Sequence, residues 1–157
     1  MGNVIDRKFT LNDDGVMGLA NDGDKANERE VAALMARAWK WKIHYFGSMD
    51  RVDFWAEKDG KMRAVIELKS RTNPSTKFET VFLSSRKWYD LTRWGEAHDC
   101  EAIFVVKFTD VVMYIPLSKV DPRVNTAGGR AAGYGYNDHE PLILVPVADM
   151  LELKEKP

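Results

Sequence analysis

The chain has 157 residues, 45% of them hydrophobic, five tryptophans and a formal net charge of −1. This length and composition fit one domain with a real apolar core and exclude a disordered chain. No apolar run reaches membrane-spanning length, and the single cysteine, Cys100, excludes an internal disulfide.

Residues 1–25 are polar and turn-rich, with Asp-Gly and Asn-Asp-Gly signals, and read as an arm with a short strand near Phe9. Asp6 stands where a myristoylation site needs Ser or Thr, and no secretory signal peptide is expected from this sequence. A cytoplasmic, reducing setting without a membrane partner is the expectation. Residues 26–157 read as a single domain. In "NEREVAALMARAWKW", Val31, Leu34, Met35 and Ala38 recur at helical spacing, with Asn27 as the expected cap and Glu28 at the edge of the core face. "WKIHYFG" suits a strand. "RVDFWAEKDGKMRAVIELKSR" reads as a β-hairpin turning at Asp59-Gly60.

"TNPSTKFET" is expected to be a loop. "LSSRKWYDLTRWGEAH" is expected to be a helix capped by Ser84 or Ser85, with Trp88, Leu91 and Trp94 buried and Gly95 at its end or in a turn just before it. "EAIFVVKF" and "VVMYIPL" are two more strands. A long Gly-rich loop at 121–141 follows, then the strand "PLILVPV", placed at a sheet edge by Pro141 and Pro146. The last ten residues read as a polar tail. The element order predicts an α/β fold, a central mixed β-sheet flanked by helices.

Charge is unevenly spread. From Lys61 to Arg93 eight basic residues meet only three acidic ones, whereas Met1 to Glu30 carries seven acids and four bases. A polyanion would be drawn to the middle of the chain. There, Arg71, Lys77, Arg86 and Lys87 are candidates for gripping a nucleic-acid backbone; the alternative is an ordinary solvated face. Arg130 and Tyr134 could act from a mobile flap, against the plainer possibility of a surface loop.

The segment "AVIELKSR" raises the chemical question. Ala64, Ile66 and Leu68 form one apolar face, while Val65, Glu67 and Lys69 form the other. Asp53, in the preceding arm of the hairpin, can stand beside Glu67 if the register allows. Two neighbouring carboxylates repel unless a cation lies between them. Mg²⁺ is the natural cation, with Mn²⁺ as its substitute, and the Leu68 backbone carbonyl could add an oxygen. Lys69 could hold the attacking water and offset charge on a phosphate, and Glu28 could reach the ion from the side. The alternative is a cross-strand ion pair on a solvated face. A site predicts a cleft under the first helix.

Helix-borne Glu28, then Asp53, then Glu67-Leu68-Lys69 resembles the PD-(D/E)XK nuclease superfamily. The stretch from Ala26 to Leu117 is similar to its archaeal Holliday-junction resolvase branch. The resemblance implies a restriction-endonuclease-like core and metal-dependent cleavage of DNA by a homodimer. Asp53 and Glu67 would bind the metal, Glu28 would assist it, Lys69 would serve the attacking water, and Arg29 would contact phosphate. Val52 stands where the superfamily often has proline. An exonuclease or restriction-like nuclease on the same core, and a non-catalytic DNA- or protein-binding module, are the alternative functions.

Overall fold

The computed structural model describes residues 10–11, 16–18, 26–46, 52–123, 126–130 and 139–156. Two short strands, β1 (Thr10–Leu11) and β2 (Val16–Gly18), lie within the polar N-terminal segment, and the other residues of that segment lie outside the description. Helix α1 (Ala26–Trp39) follows. Its "EVAALMARA" run is rich in strong helix formers, and Val31, Ala32, Met35 and Ala36 are buried on one stripe. Lys40, with φ 59°, ends it in the left-handed region. Asn27 does not cap α1: it lies inside the helix, and its Oδ1 accepts a hydrogen bond from Lys107 Nζ at 3.0 Å.

Strand β3 (Lys42–Tyr45) leads to the predicted hairpin of β4 (Phe54–Lys58) and β5 (Lys61–Ser70). Asp59 and Gly60 both have positive φ, 54° and 76°, which matches the twist of a two-residue hairpin. Strand β6 (Thr80–Ser84) comes next, where a loop and a helix start are expected from the sequence. Helix α2 (Ser85–His98) is capped by Ser84, whose Oγ accepts the Lys87 N–H at 3.2 Å. It ends at Asp99 in the left-handed region. Gly95 lies in the last turn of α2, just before its end, where the helix comes close to the following strand: a Cβ there would meet the Cys100 carbonyl oxygen at 2.9 Å.

Strands β7 (Glu101–Lys107) and β8 (Val112–Pro116) form the second predicted pair. A 3₁₀ turn at Leu117–Lys119 follows. The segment 121–141 is not all loop: β9 (Thr126–Arg130) lies in it, and β10 (His139–Pro146) begins in it. Nor is β10 an edge strand. It pairs with β6 on one side and β9 on the other: Pro146 ends the β6 ladder opposite Thr80, and Pro141 lies just outside that ladder and opposite Gly128 in the middle of the β9 one. The supposed polar tail forms a 3₁₀ turn (Val147–Asp149) and β11 (Leu151–Glu152), which pairs with β8 and buries Met150 and Leu153.

The main sheet runs β1-β2-β3-β4-β5-β7-β8-β11, and a second sheet runs β6-β10-β9. Among the described residues, β2/β3 and β5/β7 pair parallel and the other ladders antiparallel, so the main sheet is mixed as predicted. A parallel neighbour needs a long crossover. Residues 71–100, carrying β6 and α2, supply it between β5 and β7. The core splits across the sheet. Ile66, Phe54 and Ala64 pack with Val31 and Met35 of α1. Val65 and Phe104 pack on the other face with Leu91 of α2 and with Val81, Leu83, Ile143 and Val145 of the second sheet.

Candidate active site

A one-residue irregularity decides which side chains meet. Near the turn, Lys58 opposes Lys61 and Glu57 opposes Met62; beyond a bulge, Ala56 opposes Ala64 and Phe54 opposes Ile66. Arg63 is the extra residue on β5. Continued one step past Phe54, the shifted register sets Asp53 against Glu67. The unshifted register would set Asp53 against Ile66, which faces α1. Because strand side chains alternate, a slip of one residue would separate the two carboxylates by the thickness of the sheet.

Asp53 lies just before β4. Its Oδ2 accepts the Leu68 N–H at 2.9 Å, a donor that the paired part of β4 does not reach. In a strand, a residue's N–H and C=O leave by the same edge, so the Leu68 carbonyl opens on the Asp53 side. Glu67 is only 9% exposed, so its face is not the solvated one that a surface ion pair requires. Burial first, then the charge of Asp53, push the Glu67 carboxyl up to about 8, while Lys87 pulls the other way. Lys87 Nζ lies 3.3 Å from Glu67 Oε1, yet that oxygen is buried without a hydrogen bond. The two observations agree if the ammonium is near in charge but poorly aimed at the lone pairs.

Lys69 leaves β5 on the same face. Its Nζ lies 4.2 Å from the centre of the Phe82 ring, which Arg71 also approaches, at 4.8 Å. Burial, then the charge of Arg71, lower the Lys69 pKa, with Glu67 opposing. The Glu67–Lys69 face is thus covered by α2 and β6, not by α1 as expected. The parity of β5 sends Ile66 to α1 and Glu67 to the opposite side.

Glu28 is half-buried in the first turn of α1. That turn is clamped to the sheet by Lys107, whose Nζ bonds Asn27 and lies 3.6 Å from Glu30 Oε2. Lys107 opposes Ser70, so the clamp lies at the end of β5 where Lys69 stands. Among the described residues, no three His, Cys, Asp or Glu side chains form a metal-holding group. The structure therefore joins Asp53 to Glu67 but does not add Glu28 as a third carboxylate.

Of the basic candidates, Lys87 faces Glu67 rather than solvent, Arg71 lies by Phe82, and Lys77 and Arg86 are exposed. Arg29 lies in the first turn of α1 and is half-buried. Arg130 ends β9, with its side chain outside the described residues, as is Tyr134. Sequence reasoning misses Phe82 and the Lys87–Glu67 contact because it misses β6. The alternation in "TVFLS", with Val81 and Leu83 buried and Phe82 facing the other way, was the available signal.

The model of a family described as "Phage putative PDDEXK endonuclease" matches residues 20–153. The chain belongs to this PDDEXK endonuclease family. No curated protein matches it. Among solved structures, the fold is similar to that of Hjc from Archaeoglobus fulgidus, a Holliday junction resolvase of an archaeal hyperthermophile. The identity is 16% and the TM-score 0.53, over 80% of this chain and 88% of that one. PDDEXK nucleases generally use divalent metal ions. The paired carboxylates and the unbonded Glu67 Oε1 suit such an ion, since hard cations take carboxylate oxygens. No described helix is long and apolar enough to cross a membrane.

Proposed function

We propose that this PDDEXK protein is a Mg²⁺-dependent DNA endonuclease, with Mn²⁺ able to replace Mg²⁺. The observation that carries the proposal is the buried Glu67 carboxyl beside Asp53, whose Oε1 has the Lys87 ammonium 3.3 Å away but makes no well-formed hydrogen bond. Such a group is costly to bury unless a cation completes it. Asp53, Glu67 and the Leu68 carbonyl would hold the ion. When bound, it would polarise the scissile phosphate and acidify water for attack.

The chain's own groups do the rest. Lys69, with a lowered pKa, orients the attacking water by hydrogen bonding and offsets the charge gathering on the phosphate oxygens. Glu28 assists from the first turn of α1, and Arg29 meets a neighbouring phosphate. Arg71, Lys77 and Arg86 grip the flanking backbone; Arg130 on β9 is a further candidate. Lys87 holds the acidic pair together when no metal is bound. Selectivity for branched DNA and action as a homodimer are supported by the fold likeness to Hjc.

The test is incubation with linear, closed circular, flapped and four-way DNA in Mg²⁺ and in Mn²⁺. Cleavage should stop in EDTA and fall by more than about a hundredfold in Asp53→Ala. Nicking or opening of the closed circle distinguishes an endonuclease from a strict exonuclease. Robust cleavage by Asp53→Ala would remove the basis for the site. Failure of the wild-type protein to bind either metal by calorimetry would favour a non-catalytic binding module.

A further inference from the structure

A groove of about 770 Å³ opens directly after the Glu67–Lys69 strand segment. Arg71, Asn73, Lys77, Phe78, Glu79 and Phe82 are among its lining residues. Phe82 joins it to the active site, because the ring approached by Lys69 is also part of the groove wall. Phe78 is 58% exposed, and Lys77 Nζ lies 5.4 Å from its ring centre. The walls thus offer aromatic faces next to two cations against one acid.

The groove is formed before any ligand arrives. Its loop is tied to the β7–β8 strands and turn by Arg71 N–H to Lys107 O (2.8 Å) and Thr109 N–H to Asn73 O (3.1 Å). Ser75 adds two bonds to Asp110, from its N–H at 2.9 Å and its hydroxyl at 2.8 Å. Its volume is that of a small-ligand pocket. An exposed aromatic with adjacent cations is the chemistry that stacks a base and holds its phosphate. Bases inside a duplex already stack on one another and cannot present a free face to Phe78.

We infer that this groove binds an unpaired nucleotide of the DNA substrate, stacking its base on Phe78 with its phosphates at Arg71 and Lys77. The inference rests on the nuclease proposal and names the substrate class: DNA with a single-stranded nucleotide next to the cleavage site. A fully paired duplex can bring phosphates to Arg71 and Lys77 but offers no base to Phe78.

The experiment measures binding in EDTA by fluorescence anisotropy. It compares a fully paired duplex with the same duplex carrying a short single-stranded flap. Phe78→Ala should weaken flap binding about tenfold and duplex binding less than about twofold. Phe78→Trp should restore flap binding, and 2-aminopurine in the flap should be quenched by the wild-type protein but not by Phe78→Ala. Tyr89→Ala, which removes a comparably exposed ring on α2, should change neither affinity. Equal losses on both DNAs, or no loss on the flap, would overturn the inference. So would sedimentation showing that the wild-type protein self-associates through Phe78 and the alanine variant does not. Cleavage in Mg²⁺ is scored separately. A wild-type protein that cuts no DNA but passes the binding tests loses the nuclease proposal and keeps the groove.

Discussion

Glu67 shows how one residue can carry both stability and chemistry. Burial and Asp53 raise its pKa from the ordinary 4.5 to about 8. Between those values the metal-free folded protein holds a proton that the unfolded chain has released. The contribution of Glu67 to the stability of the metal-free protein must therefore fall as pH rises from about 4.5 to about 8, and level off above that. The slope is at most about 1.4 kcal/mol per pH unit for one proton. Glu67→Gln, which cannot ionise, should flatten this slope in urea melts run in EDTA. Adding Mg²⁺ to the wild-type protein should stabilise it most near pH 8, where binding no longer has to displace the proton. A slope over this window that Glu67→Gln leaves unchanged would show that Glu67 is ionised in the fold, with Lys87 rather than protonation compensating it.

At the scale of the element, the bulge in the β4–β5 hairpin sets the site. Removing Arg63 deletes the extra residue and lets the hairpin run regularly, yet leaves Asp53 opposite Glu67. Inserting one alanine between Ile66 and Glu67 instead moves Glu67 to the α1 face. Deletion of Arg63 should thus keep cleavage within about tenfold of wild type, while the insertion should lose it by more than about a hundredfold. Circular dichroism and thermal melts would confirm that both variants fold. Equal loss in two folded variants would mean that the bulge does more than set register.

This is also where the sequence was and was not legible. Alternation in "AVIELK" and the Asp59-Gly60 turn were enough to find the hairpin and to place Glu67 and Lys69 on one face. Their meeting with Asp53 depended on a bulge that no local residue signals, since Arg63 is an unremarkable strand residue. Which helix would cover that face was not readable, because the parity of β5 fixes the faces but not what packs on them. Strand β6 hid between a Pro-bearing loop and a Ser-capped helix. Strands β9 and β10 hid because glycines and prolines read locally as turns, whereas ladder pairing is a long-range property.

Across the whole molecule, a net charge of −1 would not suggest a DNA partner. The distribution matters more than the sum. Arg71 and Lys77 line the groove beside Lys69, and Arg86 lies at the start of α2, on the same side of the main sheet. Lys87 is spent on Glu67. Together with Arg29 on α1 the other three make four proposed phosphate contacts per chain, and each contact releases roughly 0.9 counterion from duplex DNA. The slope of log affinity against log salt should be about −4 for one protomer on duplex DNA, and about −7 if a dimer engages one molecule with both sites. Lys77→Ala should reduce the magnitude by about 1 per bound protomer. Anisotropy titrations in EDTA from low to moderate salt give both numbers. A slope near −7 that falls by about 2 in Lys77→Ala identifies a dimer spanning one DNA, because two copies of the same contact are lost together. A slope unchanged by Lys77→Ala would place the DNA elsewhere on the surface and remove this face as the route to Lys69.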